Sequence, residues 1–212
     1  DAMDSLVFFY FNQDRFAEAK SLAQEAFQIS KSLFGVDHPQ TIYSMRNLAA
    51  QFDALGETEE AEKIESEAYH ISLRIYGSDH PRTLYNLRRR AVRAYQSENY
   101  ELAKKLFETW LAGIEPLYHD DHPEILDCHA NLARIELRLG QIQDAEVRAS
   151  RTYANSKKVF GIENEETAFV ASTLIEIYMV RGRTADALSL AEEAKLLDIK
   201  RENGENDYGS MQ

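Results

Sequence analysis

The densest group of chemically versatile side chains is His119-Asp120-Asp121-His122, with His129 seven residues further on. Imidazoles and carboxylates in such a cluster are the ligand types of a zinc or other divalent site. An aspartate beside a histidine is also the beginning of a general-base dyad. The surrounding pattern argues against both chemistries. Asp37-His38-Pro39, Asp79-His80-Pro81 and Asp121-His122-Pro123 recur at a period of 42 residues, and the degenerate Glu163-Asn164-Glu165 falls at the next place. Evenly spaced copies are the punctuation of a repeat. In that part the aspartate or histidine caps free backbone N–H groups, and the proline occupies a first helical turn, where its missing donor costs nothing.

Other catalytic constellations are absent from the sequence. There is no Gly-rich phosphate loop, no Gly-x-Ser-x-Gly elbow and no His-Glu-x-x-His pair. Cys128, the single cysteine, has no histidine at helical spacing and reads as a small packed residue. The chain is therefore expected to be non-enzymatic, with no catalytic residue, no metal ligand and no cofactor. One cysteine calls for no oxidising compartment, so a cytoplasmic setting is expected, with the nucleus also compatible. Thirty-six acidic residues against 24 basic ones leave a net charge of −12, which opposes binding to nucleic acid phosphates. The longest apolar run, Leu6 to Phe11, is far shorter than the ~20 residues of a membrane span, and no basic segment precedes it as in a signal peptide. Neither a nucleic acid nor a membrane partner is expected.

The elements that carry these residues follow from the same repeat. Ala19, Ala61, Ala103, Ala145 and Ala187 keep the 42-residue register, as do Thr41, Thr83 and Thr167. Between Pro39 and Leu55, Ile42, Met45, Leu48, Ala49 and Phe52 recur at three- and four-residue spacings, the mark of a helix with one buried face. Gly56 breaks it. Ala61, Ile64, Ala68, Ile71 and Ile75 give a second helix from Thr58 to Tyr76, closed by Gly77 in the expected left-handed conformation. The fold class is all-α, with hairpins over about 1–35, 39–77, 81–118, 123–160 and 165–200, ten helices in all. Pro116 is expected to shorten or kink the second helix of the third hairpin. The segment 201–212 is polar and aperiodic and reads as a mobile tail, whose Glu205-Asn206-Asp207-Tyr208 is itself a candidate occupant of a peptide site.

Gly35-Val36-Asp37-His38-Pro39-Gln40-Thr41, then Asn47-Leu48-Ala49, Gly56, Glu60-Ala61-Glu62 and Glu67-Ala68, with equivalents in later units, resemble the 42-residue tetratricopeptide (TPR) repeats of kinesin light chains and of arrays attached to signal-transducing nucleotide-binding domains. The resemblance spans nearly the whole chain. It departs at Arg89-Arg90-Ala91, where Asn-Leu-Ala is the pattern, and at Glu136, where an aromatic is usual. It implies a right-handed superhelical solenoid of about five hairpins whose first helices line a concave groove.

Along those first helices the register of Asn47 gives Asn47, Arg89, Asn131 and Thr173. Four residues earlier come Tyr43, Tyr85, Asp127 and Phe169, and three residues later Ala50, Val92, Arg134 and Glu176. With Arg46, Arg88, Arg93 and Arg138 beside them, the middle of this ladder is basic within an acidic protein. Asparagine amides suit a peptide backbone and arginine forks suit carboxylates. The expected activity is binding of a linear, acidic peptide of a partner protein through Tyr43, Asn47, Tyr85, Arg89, Arg93, Asn131, Arg134 and Arg138. Against this stands the plainer reading that the arginines pair with glutamates of neighbouring second helices. Arg90, at the register of Leu48, Leu132 and Leu174, is expected to snorkel or pair with a carboxylate. An alternative function is self-association or regulation within a larger chain, such as a signalling NTPase. It would use Leu6, Phe8, Phe9 and Phe11, which await cover from a second copy or an upstream repeat.

Overall fold

A computed structural model describes residues 2–193, so the expected tail and the end of the fifth hairpin lie outside the described residues. The helices run α1 (Ala2–Phe11), α2 (Phe16–Phe34), α3 (Pro39–Ala54), α4 (Thr58–Tyr76), α5 (Pro81–Gln96), α6 (Tyr100–Ile114), α7 (Pro123–Arg138), α8 (Ile142–Phe160) and α9 (Glu165–Val180). The chain is helical again over 184–193, and no strand occurs among the described residues. First helices α3, α5, α7 and α9 have 16 residues, and second helices α2, α4 and α8 have 19. The exception is α6, which stops at 15 residues, two before Pro116. A proline cannot continue the ladder of backbone donors, and it disfavours helical geometry in the residue before it.

Two details of the repeat junction set the start of each first helix. His38, His80 and His122 are the N-caps, each Nδ1 accepting the backbone N–H two residues on at 3.1, 3.2 and 3.2 Å, and Asn164 does the same with its side-chain oxygen at 2.9 Å. Each imidazole also lies on the aromatic ring that ends the preceding unit: Phe34 on His38, Tyr76 on His80 and Tyr118 on His122, with centroids 4.6, 4.5 and 3.8 Å apart. The recurring triplet thus serves the histidine, while aspartate does not cap. Gly77 departs from the expected left-handed helical geometry. At φ 85°, ψ 174° it occupies the mirror image of the extended region, open essentially to glycine alone, while its N–H still donates to the Leu73 carbonyl at 3.0 Å.

Contacts divide the chain after Ser97 into two compact units. In the first, α1 to α5 pack each on the next and α1 also meets α3. Its core holds Val7, Ala19, Ala23 and Leu48, then Ile42, Met45, Ala68 and Ile71, with half-buried Phe27 and Ile64 joining the two groups. In the second, α6 to α9 pack each on the next, and Ala130, Ala133, Leu137, Ala145, Ala149, Val170, Leu174 and Ile177 form a core between α7, α8 and α9. The alanine column is buried in both units, from 0 % exposed at Ala19, Ala61, Ala103 and Ala145 to 3 % at Ala187. A methyl group fits the close approach of neighbouring helices, where a larger side chain would force strain. No helix among the described residues is long and apolar enough to cross a membrane.

Candidate functional site

The side chains expected to bind peptide all project from first helices, and most are bonded within their own unit. Asn47, on α3, donates from Nδ2 to Asp4 of α1 at 2.9 Å. Arg89, on α5, donates from Nε and Nη2 to one oxygen of Glu65 at 2.9 and 2.6 Å. Arg93, a turn further along, donates from Nε to the other Glu65 oxygen at 2.7 Å and holds both oxygens of Asp53 through its two terminal nitrogens. Arg93 is 8 % exposed and Glu65 3 %. The Asp53 hydrogen bonds hold the Arg93 guanidinium firmly in its charged form. Burial tends to raise the Glu65 pKa, but the hydrogen bond from Arg93 and the charge and hydrogen bond of Arg89 outweigh it and hold the carboxyl below its ordinary range.

Glu65 is the residue that sequence reasoning missed. Its register companions are Ala23, Phe107 and Ala149, all buried, so a carboxylate stands in a core column. That mismatch was the available signal, because a buried carboxylate requires a cationic partner. The expectation for Arg90 also changes: its guanidinium lies 4.9 Å over the ring of Tyr69 on α4, a cation–π contact in place of a carboxylate.

In the second unit, Asn131 donates to the backbone and side-chain oxygens of Asp127 at 2.8 and 3.0 Å. Arg134 lies 3.6 Å over the Phe169 ring and reaches the Thr173 and Ser172 hydroxyls at 3.4 and 3.3 Å. Arg138 pairs with Glu176 through both terminal nitrogens, at 2.5 and 3.3 Å.

One arginine of the first unit is different. Arg46, on α3, lies 4.1 Å from the ring centroid of Tyr85 on α5 and 5.8 Å from that of Tyr43. Its Nε is buried without a hydrogen-bond partner, and it forms no ion pair among the described residues. Burial chiefly, and then repulsion from Arg89, lowers its pKa, although the nearby tyrosines act in the opposite sense. Tyr43 and Tyr85 are 42 % and 41 % exposed, so both rings offer apolar surface to solvent. The Tyr85 hydroxyl has a pKa raised by burial but lowered more by the charge of Arg46 and by Arg89. Beside these rings is a cavity of about 250 Å³ lined by Pro39, Gln40, Ile42, Tyr43, Arg46, Arg82 and Asn86, with two cations and no carboxylate. An under-compensated guanidinium between two exposed aromatic rings is suited to an incoming oxyanion with an apolar neighbour.

Residues 2–73 match the tetratricopeptide repeat family model. The structure is also similar to the crystal structure of a variant of a putative kinesin light chain with nearly identical TPR-like repeats, from Podosopora anserina. The TM-score is 0.83 at 22% identity, over 95% of each chain. The fold is that of tetratricopeptide repeats. BtubC (BKLC) from P. vanneervenii is similar at a TM-score of 0.81 and 17% identity, over 94% of this chain and 80% of that one. A Rap protein complexed with Competence and Sporulation Factor is similar at 0.67 and 15%, over 93% of this chain and 53% of that one. No curated protein matches the sequence.

Proposed function

We propose that the chain binds a linear acidic peptide of a partner protein on the first-helix face of the first unit, anchored by Arg46 between Tyr43 and Tyr85. The observation that carries this reading is the Arg46 guanidinium, partly buried and without a carboxylate, in a cavity that contains no acidic residue. Arg89 and Arg93 serve this site indirectly. Their bonds to Glu65 hold α5 against α4, and the Arg89 charge makes the place of Arg46 more receptive to an anion. Asn47, Asn131, Arg134 and Arg138 would have to give up internal bonds to meet a ligand, and they are not assigned to this site.

The test is fluorescence anisotropy against arrayed peptides that pair aspartate or glutamate with an aromatic or leucine anchor. The parent is expected to bind one class of them, more weakly at high salt. Arg46→Gln is expected to weaken that binding about tenfold or more, the worth of one charge-assisted hydrogen bond. Arg138→Gln, which breaks a half-exposed pair, is expected to leave it unchanged. Equal affinities for parent and Arg46→Gln would overturn the assignment.

A second reading, self-association through α1, is favoured by a separate observation. Val7 is buried against α2 and α3, while Leu6, Phe8, Phe9 and Phe11 remain 41, 66, 52 and 37 % exposed. Light scattering after size exclusion decides it: a dimer that Phe8→Ser with Phe9→Ser converts to monomer supports this surface, and a monomeric parent removes it.

A further inference from the structure

The fourth hairpin departs from the second at a connected set of buried and half-buried positions. Met45, Phe52, Ile64, Ala68 and Ile71 belong to the apolar core of the first unit. Two periods later the same register holds His129, Glu136, Arg148, Thr152 and Asn155. All five line one cavity of about 430 Å³ within the second unit, formed by α6, α7 and α8. A solvated surface does not account for this, since Glu136 is 1 % exposed and Thr152 2 %. Packing does not account for it either. A buried ion pair commonly contributes no more stability than the apolar residues it replaces, and this one borders a cavity where apolar side chains would close-pack.

The cavity floor is rich in hydrogen-bond donors. Each oxygen of Glu136 accepts from Arg148, through Nε and Nη2, at 2.9 Å. A third nitrogen of Arg148, Nη1, stands 2.9 Å from His129 Nδ1. A guanidinium can only donate, so the imidazole accepts at Nδ1 and carries its proton on Nε2. Burial first, then the charges of Arg148 and Arg151, lower the His129 pKa. Lys104 donates to Gln141 at 2.6 Å and stands 3.7 Å from Glu136 and 3.9 Å from Glu108. With Arg148 and Lys104 around one buried carboxylate, the floor carries an excess of positive charge.

The mouth has the opposite sign. Asp120 is bonded to Arg151 at 2.9 Å, while Glu108 and Asp144 face solvent, giving four carboxylates and three cations around the whole cavity. That distribution disfavours a simple anion, which the mouth repels, and a simple cation, which the floor repels. A ligand with a carboxylate at one end and an ammonium at the other satisfies both. We propose that this cleft binds a free α-amino acid, its carboxylate drawn by the positive charge of Lys104 and Arg148, which keep their bonds to Gln141 and Glu136, and by the amide of Asn155 on the cavity wall, its ammonium facing Glu108 and Asp144. The site lies in a different unit from Arg46 and stands whether or not a peptide binds there.

The experiment is isothermal titration calorimetry of the full chain with each of the common α-amino acids, and with the N-acetyl and carboxamide derivatives of any that bind. At least one amino acid is expected to bind, and loss of either charge is expected to weaken it at least tenfold. Glu136→Phe with Arg148→Ile restores the residues of the second hairpin and is expected to abolish binding without lowering the melting temperature. Asn155→Ile, which leaves the ion pair intact, is expected to weaken binding while the fold is retained by circular dichroism. The proposal is overturned if no amino acid binds, if the derivatives bind as tightly as the parent ligand, or if Glu136→Phe/Arg148→Ile binds normally.

Discussion

Replacing Glu65 by glutamine keeps the volume and removes the charge at the centre of the only four-residue ion cluster described in the first unit. Glu65 is 3 % exposed, and its two oxygens receive three hydrogen bonds from Arg89 and Arg93. In the variant one oxygen becomes an amide NH2, a donor facing guanidinium donors, and the buried Arg93 keeps only Asp53. Breaking a buried pair from one side costs about 3–5 kcal/mol, and the surviving Asp53 contact places the expected loss near the lower end, about 3 kcal/mol at pH 7. For a chain of this size that is a fall of roughly 6–12 °C in the melting transition, read by far-UV circular dichroism.

The pH dependence gives an independent check with a definite sign. The folded Glu65 pKa is held below the unfolded value of about 4.3, so its stabilisation is complete above that pH and is lost as the pH falls through the folded value. The gap between parent and Glu65→Gln should therefore shrink as the pH is lowered below about 4.3. The triple variant Glu65→Ala, Arg89→Asn, Arg93→Ile installs residues found at the same register in other hairpins. It should return to within about 1 kcal/mol of the parent. A Glu65→Gln protein within about 0.5 kcal/mol of the parent at pH 7, or a gap that persists undiminished at low pH, would refute the reasoning.

Glu98 has φ 59° at the register where Gly56 and Gly140 have φ 75° and 73°. Relief of the left-handed strain exceeds the entropic cost of glycine, so Glu98→Gly should stabilise by about 0.5–1 kcal/mol in urea denaturation. His80→Ala removes both a helix cap and a ring stacked on Tyr76, and should cost about 1.5–2 kcal/mol. His80→Asn, which keeps a cap of the kind Asn164 provides, should cost only about half as much. Equal losses for the two would show that the cap contributes nothing separable.

The period of the hairpins was legible from residue spacing alone, down to α4 at Thr58–Tyr76 and the early end of α6 before Pro116. Helices are built from hydrogen bonds between residues four apart, so alternation of apolar and polar side chains along a short stretch is enough to place them. Even there, a torsion escaped: glycine was expected at the end of α4, but its ψ depends on the path the chain takes into α5. The basic ladder was legible as a list of residues and not as a site. Whether Arg89, Arg93 and Arg46 are available depends on which carboxylates lie within reach after residues 24 to 40 apart in the chain have packed. With 36 acidic residues to choose from, sequence distance carries no information about that choice. Packing gave Glu65 and Asp53 to Arg89 and Arg93 and left Arg46 between two tyrosines. It also gathered His129, Glu136, Arg148, Thr152 and Asn155 around one space. Local order is written in consecutive residues, whereas electrostatic partnership is a property of three-dimensional proximity, and only the folded chain decides it.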